Sequence, residues 1–238
     1  MTKTDVTLRW GAVCAIVAGV TMLLPLIFYF YLLPDAGSSA THAQDPASFL
    51  PWMVEHGNVR QALWWSVCLP FLVAPFGVPQ ALKKRLESFY PPAPQIAELA
   101  GVLGFFTFLL ATLVLVAGEM PLAREYVAAG EQARPAIVAT YEWQRLVTAL
   151  IFDGLGFFLI GVWIFVNSVV GLRSGELPRG LGRFGVVTAL TCFSFAVGYV
   201  TGIKWLGETG VGVLAFLAIP VWLVWLGRVL WQTERMEK

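Results

Sequence analysis

The segment LIFDGLGFFLIGVWIFVNSVV, residues 150–170, contains a single charged residue, Asp153. A run of about 20 predominantly apolar residues is long enough for an α-helix to cross the hydrocarbon core of a bilayer. This segment therefore predicts a transmembrane helix, and it raises the question of what a carboxylate does inside it.

The composition of the whole chain is that of a membrane protein. Of its 238 residues, 58% are hydrophobic and 13% are charged, and the mean hydropathy is +0.72. These values are far from the averages of soluble domains. The formal net charge is only +1, so we expect the lipid bilayer as the environment and no nucleic-acid partner.

Six segments meet the length and hydropathy requirements of a spanning helix. We therefore predict an all-α fold, a polytopic membrane protein whose single six-helix transmembrane domain covers residues 1–238. The predicted helices cover about residues 10–33, 60–82, 97–118, 144–170, 183–203 and 210–231. The first is too long for the apolar region of a signal peptide, so we interpret it as a retained helix, with cleavage near SSATHA, residues 38–43, as the alternative.

The distribution of basic residues predicts the orientation. Loops rich in Lys and Arg face the cytoplasm, and the six spans divide the 16 basic residues into 11 on one side and five on the other. The richer side contains Lys3, Arg9, Lys83, Lys84, Arg85, Arg173, Arg179, Arg183, Arg228, Arg235 and Lys238. Both termini are therefore predicted to be cytoplasmic.

Two outer connections, about 34–59 and 119–143, are long. In the first, DPASFLPWMVEHG (45–57) mixes apolar and polar residues as a segment lying at the membrane interface would. In the second, residues 121–143 favour short helices interrupted at Gly130 and Pro135. Within the second span, LPFLVAPFGVPQ (69–80) carries three prolines, which predict a bent or opened helix because each proline removes a backbone donor.

Asp153 is the first candidate site. It lies about 13 Å along its helix from the outer end, too deep for a short side chain to reach water. An Asp at this depth costs about 2.5–3.5 kcal/mol, which the surrounding apolar residues offset. We expect it to face protein and to hydrogen-bond Ser194 or Tyr199, with Thr112 as a substitute. Two interpretations are open: a structural interhelical hydrogen bond, or a proton-responsive or ligand-orienting carboxylate.

A second candidate group lies near the predicted outer helix ends: His56, Arg60, Glu119, Arg145, Lys204 and Glu208. These residues either line a vestibule above Asp153 or extend to the lipid headgroups. The sequence contains no GxSxG, HExxH or P-loop pattern and no established spacing of metal ligands. We therefore predict no catalytic residues, no metal and no cofactor, and an enzyme is disfavoured. Cys14, Cys68 and Cys192 are expected to be small buried hydrophobes.

The stretch DGLGFFLIGVWIFVNSVVGLRSGELPRGLGRFGVVTAL, residues 153–190, resembles a family of uncharacterised bacterial six-helix integral membrane proteins known only as a domain of unknown function. The resemblance implies a multi-pass protein of the bacterial inner membrane and supplies no activity. The function we expect is that of an accessory or interaction subunit of a membrane complex, with a membrane-protein partner or a second copy of the chain. The alternative is a small-molecule or lipid carrier that binds its ligand at a buried polar site at Asp153.

Overall fold

The computed structural model describes residues 3–38, 45–89, 91–207 and 211–236. Throughout these ranges the regular secondary structure is helical, without a β-strand. Six stretches are long and apolar enough to cross a membrane: Val6–Asp35, Pro46–Leu86, Pro92–Ala128, Arg134–Ser174, Arg179–Thr201 and Ala215–Gln232. Each predicted span overlaps one of them, so the predicted number of helices long and apolar enough to cross a membrane is confirmed.

The α-helices are interrupted by short segments of other helix types. They are α1 (Lys3–Thr21), α2 (Leu24–Ile27), α3 (Leu33–Asp35), α4 (Pro46–Val73), α5 (Val78–Leu86), α6 (Pro92–Ala128), α7 (Arg134–Ala149), α8 (Phe157–Ser174), α9 (Arg179–Thr201) and α10 (Ala215–Met236). π-Helical turns join α2 to α3 (Phe28–Leu32) and α7 to α8 (Leu150–Gly156). 3₁₀ turns follow α4 (Ala74–Phe76) and precede α10 (Val211–Leu214).

The helices pack as neighbours in the order α4, α6, α8, α9, α10 and α1. Glycines permit α1 and α10 to approach each other closely. A Cβ added to Gly19 of α1 would lie 2.8 Å from the Pro220 carbonyl oxygen of α10, and one added to Gly227 would lie 2.8 Å from the Ala12 carbonyl oxygen. Because residue 12 faces 227 and residue 19 faces 220, α1 and α10 are antiparallel. The start of α1 and the end of α10 therefore lie at the same end of the bundle.

The same end collects the basic turns, and we call it the basic end. The Arg85 guanidinium donates to the backbone carbonyl of Glu176 at 2.5 Å, which joins the end of α5 to the turn between α8 and α9. The Lys83 ammonium lies 2.7 Å from the Glu98 carboxylate near the start of α6. The structure therefore places the loops that the charge count grouped together at one end of the molecule.

The predicted distortion of the second span is confirmed. The α-helical part ends at Val73, a 3₁₀ turn contains Pro75, and α5 begins at Val78 with Pro79 in its first turn. A proline in the first turn of a helix is favourable because that N–H would be unpaired in any case. The Trp10 indole N–H donates to the Phe76 carbonyl at 3.1 Å, which satisfies a backbone group released by the break.

At the opposite end, the second long connection differs from the prediction, because α6 and α7 continue past the spanning length instead of forming separate short helices. In the first, the residues before His56 form a helical segment that packs on α6 and α7 and is separated from the rest of α4 by a kink at His56, whose backbone torsions are not helical. Residues 46–56, 119–128 and 134–143 form this helical extension, which we call the cap. Only the break near Gly130 is as predicted, whereas Pro135 begins α7 rather than interrupting a helix.

The cap has an apolar core of its own. Phe49, Leu50, Met53, Ile137 and Tyr141 are all buried, and the Phe49 and Tyr141 ring centroids are 5.8 Å apart. These apolar side chains, which suggested contact with the membrane interface, are covered by one another. Mutual burial of large side chains is the physical reason why the segments are helical and not loops.

Candidate functional site

Asp153 lies in the π-helical turn between α7 and α8. Single π-helical turns inside longer helices are frequent at functional sites. The Asp153 side chain is half-buried, and aromatic contacts surround the turn. The Phe152 ring lies 4.6 Å from that of Phe108 on α6, and the Phe157 ring lies 4.5 Å from that of Phe195 on α9. The turn is thus held where α6, α8 and α9 approach each other.

Two of the predicted hydrogen-bond partners of Asp153 use their protons elsewhere. The Ser194 hydroxyl donates to the Leu206 carbonyl at 3.0 Å, and the Thr112 hydroxyl donates to the Phe108 carbonyl in its own helix at 2.8 Å. Because a hydroxyl has one proton, neither residue donates to Asp153. Asp153 and Tyr199 are both engaged in interactions, and a contact between these two stays a prediction.

A groove of about 430 Å³ opens on the outer surface beside this turn. Gly154 and Ala196 contribute small residues to its lining, and Leu155, Phe158, Val197 and Val200 contribute large apolar ones. A Cβ added to Gly154 would meet only Val200 Cγ2, at 3.4 Å. The groove therefore has a shallow, narrow centre between bulky walls, and it lies within the length of the spanning helices.

Two of the predicted outer charges, Arg60 and Glu119, form a buried ion pair. Arg60 Nε and Nη2 each lie 3.1 Å from an oxygen of Glu119, and the Trp64 indole N–H donates to Glu119 Oε2 at 2.8 Å. Both charged residues are buried. The Arg60 guanidinium also lies 4.5 Å from the Trp64 ring centroid and 5.3 Å from that of Phe49. The interpretation that these two side chains extend to lipid headgroups is therefore wrong.

Two of the other predicted vestibule residues border the same aromatic cluster as the ion pair. The His56 ring is stacked on that of Trp52, with 5.3 Å between centroids, and the Arg145 guanidinium lies 5.7 Å from the Tyr141 ring centroid. Trp52 and Tyr141 both pack against Phe49, the ring that the Arg60 guanidinium faces. The structure thus brings His56, Arg60, Glu119 and Arg145 to one aromatic cluster. Lys204 is exposed in the segment after α9, and Glu208 lies outside the described residues.

Sequence reasoning missed Trp64 as a member of this cluster. The signal was present, because Trp64 is four residues after Arg60 and shares its helix face. The predicted group contained only charged residues near helix ends, and an uncharged Trp does not belong to that class. Sequence reasoning also missed the buried polar side chains of α8 and α10, Ser168 and Trp222, which lie far from the predicted sites.

The described part of the chain contains no group of three or more His, Cys, Asp or Glu residues arranged to hold a metal ion. The three cysteines are buried thiols without disulfide bonds, as expected of small hydrophobes in a core. The most distinctive features are therefore a buried charge cluster and a lateral apolar groove.

No family model matches this chain, and no curated protein or solved structure is significantly similar to it. The resemblance of residues 153–190 to an uncharacterised bacterial family stays a prediction.

Proposed function

We propose that this protein is a non-catalytic interaction subunit that binds a transmembrane helix of a partner protein in the groove beside Gly154. The groove is the observation that supports this function. Transmembrane helices associate by close packing at small residues, because lipid supplies no hydrophobic driving force between them. Gly154 and Ala196 offer such a surface. The flanking Leu155, Phe158 and Val200 would pack against the two sides of a row of side chains on the partner helix.

The orientation belongs to the same proposal. The basic end faces the cytoplasm, the cap faces the opposite side, and the membrane is a bacterial inner membrane. The basic end carries Lys83, Lys84 and Arg85 together with the turn after α8 and the end of α10, which is the asymmetry that the positive-inside rule describes. The groove then lies toward the outer half of the bilayer.

Site-specific photo-crosslinking tests the partner. A photoreactive amino acid placed at Val200, which is exposed beside the groove, should form an adduct whose crosslinked peptide belongs to a transmembrane helix. Gly154→Leu fills the groove and should abolish the adduct. The matched control is Ala117→Leu, which introduces the same side chain at an exposed position of α6 and should leave the adduct unchanged.

The result that overturns the proposal is an adduct with lipid alone, or one that survives Gly154→Leu. An adduct with lipid would favour the alternative, a carrier of lipids or apolar small molecules. The specific observation behind that alternative is that Asp153 occupies the same π-helical turn as Leu150, Gly154 and Leu155 of the groove. A ligand with an apolar body and a polar group could place the body in the groove and the polar group at Asp153. Mass spectrometry of the purified protein should then detect a retained ligand that Asp153→Asn releases.

A further inference from the structure

Four buried polar side chains lie in the half of the bundle nearer the basic end. Trp163, Asn167 and Ser168 belong to α8, and Trp222 belongs to α10; none of these side chains is more than 1% exposed. Each has a polar atom without a hydrogen-bond partner in the described structure: Trp163 Nε1, Asn167 Oδ1, Ser168 Oγ and Trp222 Nε1. Buried polar groups are nearly always paired, so this concentration needs an explanation.

Ser168 and Trp222 converge on one point, at Gly185 of α9. Trp222 Nε1 lies 2.5 Å from the position that a Gly185 Cβ would occupy, and Ser168 Oγ lies closer still. The two atoms are therefore close neighbours where α8, α9 and α10 meet. Only glycine leaves the space for both.

The Trp163 and Asn167 groups belong to the same layer. The Trp163 and Trp222 rings pack edge to face with 5.3 Å between their centroids. The Asn167 amide nitrogen donates to the Trp163 carbonyl at 2.8 Å, which leaves Oδ1 as a pure acceptor. The Trp163 indole nitrogen itself lies beside Gly101 of α6, 2.9 Å from the position that a Gly101 Cβ would occupy. The Gly185 side of the layer therefore offers the Trp222 N–H donor and the Ser168 hydroxyl, which can donate or accept.

We propose that Ser168 and Trp222 form the centre of a binding site for water, a small neutral molecule that both donates and accepts hydrogen bonds. The chemistry of the atoms selects this ligand. A bare cation would need carboxylate or several carbonyl ligands, whereas the indole groups offer only donors. An anion would bring an unpaired charge into a fully buried layer, which is expensive. A water needs two to four polar partners, and these side chains supply them.

The site lies close to an aqueous surface. Ser168 is five residues before Arg173 at the end of α8, or about 8 Å along the helix axis. The site is therefore within about two helical turns of the basic end. A water bound there links the α8 hydroxyl to the α10 indole beside Gly185 of α9, and so joins two helices between which the described structure has no disulfide or ion pair at this level.

Nuclear magnetic resonance of the full chain in detergent, with ¹⁵N in the tryptophan indoles, tests the proposal directly. The Trp222 indole N–H should show a cross-peak to a long-lived water, and Ser168→Ala should weaken or remove that peak. An indole that donates directly to Ser168, or that stays unpaired, gives no water cross-peak. Either of those results overturns the proposal.

The sign of the change in Tm for Ser168→Ala provides an independent measurement. If the hydroxyl is unpaired, the change removes a buried polar atom that costs free energy and should raise Tm. If the hydroxyl binds water, the same change loses a hydrogen bond and should lower Tm by about 2–4 °C. Ser88→Ala, at an exposed serine after α5, is the matched control and should leave Tm unchanged. A raised or unchanged Tm for Ser168→Ala contradicts the site.

Discussion

Glu119 accepts three hydrogen bonds inside the protein, two from Arg60 and one from Trp64. The bidentate guanidinium and the indole N–H together satisfy most of the hydrogen-bonding capacity of the carboxylate oxygens. The pair joins α4 to α6 across 59 positions of sequence. Its role in the fold is to hold the two helices in register where the spanning bundle meets the cap.

We expect Glu119→Gln to destabilise the protein by about 3–5 kcal/mol, because it leaves the Arg60 charge buried without a counter-charge. Replacing both partners by apolar residues, Arg60→Met with Glu119→Leu, should cost less than either single charge removal. The measurement is the midpoint of thermal unfolding in detergent.

Glu142→Gln is the control for this prediction, since Glu142 is an exposed carboxylate of the cap. It should change stability by no more than about 0.5 kcal/mol. If Glu119→Gln behaves like Glu142→Gln, the buried pair does not contribute as the geometry indicates.

Gly198 and Gly154 are predicted to differ sharply in their tolerance of a methyl group. A Cβ on Gly198 would lie 2.6 Å from the Leu206 carbonyl carbon and 2.8 Å from Gly207 Cα, both backbone atoms that cannot rotate away. Gly198→Ala should therefore destabilise the protein by about 1–3 kcal/mol. Gly154→Ala should be within about 0.5 kcal/mol of the wild type, because its Cβ enters the open groove.

Thermal unfolding of the two alanine variants side by side checks this difference. Both are glycine-to-alanine changes in or beside a spanning helix, so helix propensity affects them alike. Equal stability of the two variants would mean that α9 does not approach the segment at Leu206 as closely as the structure has it.

At the scale of elements, a side-chain hydrogen bond attaches the chain after α3 to the cap. The Trp52 indole N–H donates to the Ala36 carbonyl at 2.7 Å. Ser38 is buried and its N–H donates to the Leu33 carbonyl at 2.9 Å, so the turn is ordered partly through this attachment to α4.

Trp52→Phe keeps the ring stacking but removes the donor, and we expect the amides of Gly37 and Ser38 to exchange about fivefold faster. A neutral hydrogen bond contributes about 1 kcal/mol, which corresponds to that factor. Hydrogen exchange followed by mass spectrometry measures it. Trp143→Phe, at an exposed position, should leave these amides unaffected; a uniform increase across the cap would instead indicate general loosening.

At the scale of the whole molecule, the basic end and the cap should lie on opposite sides of the membrane. Ser88→Cys places a thiol at an exposed position after α5, and Glu131→Cys places one in the break between α6 and α7. In intact cells a membrane-impermeant maleimide should label the second variant only. The first should be labelled after permeabilisation.

The native cysteines give little background in this experiment, because Cys14, Cys68 and Cys192 are all buried. Labelling of Ser88→Cys in intact cells, with Glu131→Cys protected, would reverse the proposed orientation. Labelling of both variants in intact cells would contradict the assignment of α6 as a spanning helix.

The sequence by itself determined the features that depend on a local window of residues. Six spans follow from apolar length, the distortion of the second span follows from Pro75, and the break near Gly130 follows from a residue that helices disfavour. Each of these depends on the energetics of single residues in lipid or in a helix.

Only the tertiary structure decided how distant residues meet. The cap depends on Phe49 packing against Tyr141, and Glu119 is buried because Arg60 and Trp64 lie opposite it on another helix. Which carbonyl accepts a hydrogen bond from Ser194 or Thr112 likewise depends on how the helices have packed. A hydropathy pattern records whether a side chain favours lipid or water, but the partner of a polar group is set by rotation and register between helices, and these are properties of the packed bundle.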